Sequence, residues 1–142
     1  MTRQDQENTA SQAATYWMLK PMTELELPGE KIGAIAPNVP VPPEGYFRLQ
    51  EIMRSGVRVS IPLSKGMVKN DNLLFGLSSD GMLLYAVAHI ITLDDYNAPL
   101  ELFIPGDAFT HTEKRTVHFA YNIQRGETLI MASKSVDVPV RA

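Results

Sequence analysis

The sequence predicts an all-β fold, an antiparallel sandwich of about seven strands behind an irregular N-terminal extension. Three observations predict it. Apolar residues recur with a period of two in several short runs, as they do when alternate side chains enter a core. Gly, Pro, Asp and Ser clusters separate these runs at intervals of roughly a dozen residues. No amphipathic helical run lies between them to supply the crossovers that a parallel sheet needs.

Residues 1–15 are polar and rich in Gln, Thr, Ser and Ala, a tail composition. Tyr16, Trp17, Met18 and Leu19 then form a short apolar cluster stopped by Pro21, and Trp17 is the only tryptophan. Two readings stand side by side here. The cluster pins the tail onto its own domain, or it is an aromatic anchor for a partner. Residues 23–27 and 31–36 are short extended candidates split by Pro28-Gly29. The run Pro37-Asn38-Val39-Pro40-Val41-Pro42-Pro43 excludes helix and central strand, leaving an extended linker or edge segment. The domain therefore divides into a tail and extended segment, 1–36, and a β domain, 37–142.

Gly56 opens the alternating run Val57-Arg58-Val59-Ser60-Ile61, closed by Pro62. Val57, Val59 and Ile61 share one face, Arg58 and Ser60 the other. Ser64-Lys65-Gly66 reads as a turn, 71–77 as a strand, and Ser78-Ser79-Asp80-Gly81 as a strong turn signal. Residues 82–92 form a longer apolar run whose β-branched and aromatic content favours a strand carrying a bulge. Residues 100–105 end at Pro105-Gly106. The cleanest alternation is 116–124, with Val117, Phe119, Tyr121 and Ile123 inward and His118, Ala120 and Asn122 outward. Arg125-Gly126-Glu127 returns the chain into 128–140, a hairpin partner.

The chain has 142 residues, one domain's worth, and 44% hydrophobic residues, enough to build a core unaided. It has no cysteine, which excludes disulfides, thiolate catalysis and cysteine-bound zinc. Net charge is −3, from 13 basic and 16 acidic residues, and no cationic face of the kind nucleic acid needs stands out. The first residues lack the basic and apolar regions of a secretory signal, and no apolar stretch approaches the ~20 residues of a membrane span. Retention in the cell, export by a signal-independent route and excision from a longer chain all remain open.

The stretch from Gly56 to Val140 resembles the immunoglobulin-like repeat domains of large bacterial surface and adhesin-type proteins, especially those of pseudomonads. The residues that carry this are Gly56-Val57-Arg58-Val59-Ser60-Ile61-Pro62, Gly66-Met67 with Asp71, and Phe103-Ile104-Pro105 with Phe109. Val117-His118-Phe119-Ala120-Tyr121-Asn122-Ile123 and Ser135-Val136-Asp137-Val138 complete the set. The resemblance implies a two-sheet sandwich without catalysis, serving as spacer or adhesive module. Residues 1–45 match no such repeat. Tyr121 is placed either as a packed aromatic or as a ring whose hydroxyl reaches a loop carbonyl, as a tyrosine corner does.

Chemistry is sparse. His111, Glu113 and His118 could make a two-histidine, one-carboxylate metal site if the loop folded back, yet nothing fixes that geometry. Asp94 and Asp95 could offer oxygens to calcium but read better as a solvated turn. No nucleophile elbow or phosphate-binding glycine loop is present. No cofactor is implied and the chain reads as no enzyme. The leading expectation is a non-catalytic protein-interaction or adhesion module of a bacterial surface or secreted system, with a protein or glycan partner. The alternatives are an assembly subunit, homo-oligomeric through its N-terminal segment, and a carbohydrate-binding sandwich. The partner-binding candidates are Tyr16, Trp17, Tyr85 and Tyr96, with Tyr46 a further sugar platform.

Overall fold

The computed structural model describes residues 34–64 and 66–142. The readings made for Tyr16, Trp17, residues 23–27 and Lys65 lie outside the described residues. In chain order the elements are β1 (Phe47–Arg48), α1 (Leu49–Ser55), β2 (Val57–Ile61), β3 (Asn72–Ser79) and β4 (Met82–Ile90). A 3-10 turn (Leu93–Asn97), β5 (Leu100–Ile104) and a second 3-10 turn (Gly106–Phe109) follow. The last three strands are β6 (Thr116–Arg125), β7 (Thr128–Ala132) and β8 (Val136–Arg141).

Among the described residues the fold is all-β with one short α-helix. A six-stranded mixed sheet runs β1-β8-β6-β3-β4, with β7 also on β6, and β2 and β5 form a separate antiparallel pair. The inward rows of both sheets meet in one core. Val57, Val59 and Ile61 of β2 and Ile104 of β5 join Leu73, Phe75 and Leu77 of β3 and Val117, Phe119, Tyr121 and Ile123 of β6. These are the alternations the sequence displays, and burial of one such row on each strand fixes its register.

Eight strands are seen among the described residues, against six candidate runs within 37–142, and the splitting of the 128–140 run accounts for one of the two additions. At Ser133 the side-chain oxygen, not a strand carbonyl, accepts the Tyr121 amide at 2.9 Å, and the ladder stops. The chain resumes pairing at Val136, so β7 takes the later half of β6 and β8 the earlier half. The other addition is β1, two residues that pair in parallel with Val140 and Arg141.

Helix α1 has no counterpart in the sequence reading. It has only 7 residues and one buried side chain, Ile52, too short a pattern to register as a helical period. Glu51 in its first turn and Arg54 in its last suit the helix dipole. Gly56 ends it at φ 69°, ψ −174°, a backbone region closed to other residues, and its amide bonds Ile52 at 2.8 Å. A side chain there would meet Phe103 and the Ile104 carbonyl. The proline-rich stretch runs as an edge segment: Asn38 pairs antiparallel with Ser60 on the side of β2 away from β5.

Candidate functional site

The candidate surface for recognition is the outer edge of β4, which no described strand pairs. The turn that starts it is Asp80-Gly81, both at positive φ (52° and 75°), the two-residue geometry that matches strand twist. The strand Met82-Leu83-Leu84-Tyr85-Ala86-Val87-Ala88-His89-Ile90 then pairs with β3 from Ile90↔Asn72 to Met82↔Ser79. Between Leu77↔Tyr85 and Ser78↔Leu83 the register slips by one residue. Leu84 is therefore the bulge that the sequence placed in this run.

On its other side no described strand pairs with β4. Its polarity can be assigned. Ile91 donates its amide to Asp71 at 2.9 Å, so Asp71 and Ile91 face each other through ladder bonds. Pairs alternate along an antiparallel ladder. Val87 and His89 therefore bond inward to β3, while Ala86, Ala88 and Ile90 turn their amides and carbonyls outward. Nine residues contain no Asp, Glu, Lys, Arg or Pro, the residues with which proteins usually blunt a free edge. Met82 and Ile90 at its ends are 66% and 43% exposed.

His89 anchors one end. Its Nε2 lies 2.8 Å from Asp95 Oδ2, which also accepts from the Thr92 amide at 2.7 Å. Burial alone would raise the Asp95 carboxyl, but the Thr92 amide and His89 outweigh it and hold it below the ordinary range. Asp95 is thus the N3 acid of a capping box whose N-cap is Thr92, and Asp94 stands exposed beside it. His118 pairs with Asp137 at 2.6 Å instead of joining His111 and Glu113, which are exposed in the preceding turn. Ser135 donates to the same Asp137 oxygen at 2.7 Å. The hydroxyl thus sits on the acid and not on the imidazole, an arrangement that activates no nucleophile. Among the described residues no three His, Asp or Glu side chains gather as metal ligands.

The tyrosines fall into different settings. Tyr85 lies on the inward row of β4, packed against the core. Tyr96 is 47% exposed, but its hydroxyl is tied to the Met67 carbonyl at 2.8 Å. The ring of Tyr46 carries the Arg141 guanidinium 4.4 Å from its centroid and that of Arg48 at 5.5 Å. Of the three, Tyr96 keeps the most exposed ring.

Sequence reasoning missed an ion pair with a fully buried carboxylate. Asp71 is fully buried and accepts Nε and Nη2 of Arg125 at 2.8 and 2.9 Å. The partners are 54 residues apart, so no local signal marks them. Comparison with protein-family models, curated proteins and solved structures finds no match to this chain.

Proposed function

We propose that this chain is a non-catalytic interaction module of the immunoglobulin-like sandwich kind, and that it takes an extended segment of a protein partner along β4. The observation that carries the reading is the nine-residue, uncharged edge whose alternate backbone groups lack a strand partner among the described residues. Such an edge offers main-chain hydrogen bonds for affinity and alternate side-chain positions for specificity. The resemblance of Gly56 to Val140 to adhesin-type repeats supports the same class and is the ground for reading it as a module of bacterial surface or secreted proteins. A protein partner is favoured over a glycan because the open edge offers main-chain groups, while Tyr85 packs against the core and the Tyr46 ring carries Arg141.

The test is a displayed library of extended peptides selected on the full chain, with binders mapped by amide chemical shifts. Binders should perturb Ala86, Ala88 and Ile90 first. Ala88→Pro, which removes one outward donor and leaves the ladder to β3 intact, should abolish their binding with the fold retained. Binders that map elsewhere and ignore Ala88→Pro would sink the reading.

A further inference from the structure

Strand order gathers cations that lie far apart in the sequence. Arg48 of β1 and Arg141 of β8 are register neighbours on parallel strands. Both are exposed, while Phe47 and Val140 beside them enter the core, so both stand on the face turned away from it. Lys114 joins them through the backbone. Its amide bonds the Val140 carbonyl at 2.9 Å, and the Val140 amide bonds the Arg115 carbonyl at 2.8 Å. An open pocket of about 410 Å³ lies between Lys114-Arg115-Thr116 and the stretch from Pro139 to Ala142, and no Asp or Glu lines it.

Like charges side by side on adjacent strands are destabilising. Yet among the described residues no acid pairs with Arg48, Lys114 or Arg141, since Asp80 is taken by Arg115 and Asp137 by His118. The Tyr46 ring orders the two arginines instead, with Arg141 at 4.4 Å and Arg48 at 5.5 Å from its centroid. A guanidinium held over a ring keeps its N–H donors, and Arg141 uses none of them on the described residues. The Lys114 ammonium and the Thr116 hydroxyl are likewise without a partner there.

We propose that this pocket binds a soluble phosphate monoester. Arg141 and Lys114 take the phosphoryl oxygens, the Thr116 hydroxyl donates beside them, and Arg48 adds positive charge from the neighbouring strand. A carboxylate carries a single charge, and one guanidinium satisfies both of its oxygens. A phosphate monoester carries about −1.5 to −2 at neutral pH and three strong acceptor oxygens, which suits several cations and a hydroxyl at one spot. The pocket is concave and within the roughly 300–1,000 Å³ of small-molecule sites, which favours a soluble ester over a flat anionic surface. The site is independent of the β4 edge, because β1 and β8 lie at the opposite end of the sheet.

The test adds inorganic phosphate or glycerol phosphate to the full chain at constant ionic strength. It follows the amide signals of Lys114, Thr116 and Arg141 and the side-chain Nε signals of Arg48 and Arg141. Saturable shifts centred on these groups are expected, with acetate binding about ten-fold more weakly. Lys114→Gln, which alters a side chain with no partner among the described residues, should weaken glycerol phosphate binding about ten-fold with an unchanged far-UV spectrum. Arg141→Gln should weaken it at least as much. Shifts that never saturate, or that persist unaltered in both variants, overturn the proposal. Acetate binding as tight as that of phosphate overturns it as well. So does binding to phosphatidylcholine vesicles carrying phosphatidic acid without binding of glycerol phosphate, in favour of a membrane surface.

Discussion

Tyr121, fully buried on the inward row of β6, donates its phenolic hydroxyl to the carbonyl of Ile35, 86 residues earlier in the chain. The bond joins the start of the described chain to the centre of the large sheet, just where Ala34 also pairs with Ser133. Of the two readings of this tyrosine, packed aromatic or hydroxyl on a loop carbonyl, the bond matches the second, with a carbonyl of the N-terminal approach and not of a neighbouring turn. Tyr121→Phe keeps the ring and deletes the bond, so it should cost about 0.5–1.5 kcal/mol, a melting temperature lower by a few degrees. Burial pushes the Tyr121 hydroxyl up to about 12 from its ordinary 10.0. The folded state thus holds this proton more tightly than the unfolded chain. Its contribution is complete below pH 10 and disappears as pH rises toward 12. Melts across that range should fall more steeply for the native chain than for Tyr121→Phe; parallel curves would refute the assignment.

Asp71 gives the opposite dependence. Burial works to raise its carboxyl, but the two Arg125 bonds and the Val68 amide at 2.9 Å prevail and hold it below the ordinary 3.8. The unfolded chain therefore binds the proton more readily. The stabilisation is complete above pH 3.8 and is lost as pH falls through the lowered folded value. Asp71→Asn should lose about 1–3 kcal/mol at pH 7 and show a shallower acid limb in denaturant titrations at pH 2 to 4. An unchanged acid limb would mean that the pair contributes nothing.

These two residues also mark how far the sequence could be read. Val57, Val59 and Ile61, and Val117 to Ile123 in alternation, declare their strands because a half-buried strand needs one apolar face, and that need is local. Asp80-Gly81 declares its turn through the backbone angles that these residues tolerate. The pairing of Asp71 with Arg125, and the open side of β4, depend on strand order, which no local pattern encodes. Residues 82–92 predict a strand with a bulge but not that it lies at an edge. Asn122 was read as an outward polar neighbour of a core row. Its complete burial involves a sheet neighbourhood, with Leu74 and Ala132 in register beside it, that its own segment does not encode.

Gly106 ties α1 to the second 3-10 turn by sheer proximity. A Cβ on it would lie 2.0 Å from the Met53 carbonyl oxygen, a backbone atom that cannot swing away. Gly106→Ala must therefore separate the helix from the turn that buries Phe109, at a cost of about 1–3 kcal/mol. A urea midpoint equal to that of the native chain would show that the two elements are free to part.

The backbone polarity of β4 predicts an alternation in hydrogen exchange. In the free chain the amides of Val87 and His89 should be protected by their bonds to β3. Those of Ala86, Ala88 and Ile90, which point to the open side, should exchange orders of magnitude faster, since protection follows the bonded partner and the opening that frees it. Addition of a strand along this edge would supply acceptors to the second set and erase the alternation, while Val87 and His89 would change little. The two sets thus separate an occupied edge from an open one without any label on the partner. Uniform protection along β4 in the purified chain would mean that its outer side is already bonded, and strand addition would lose its site.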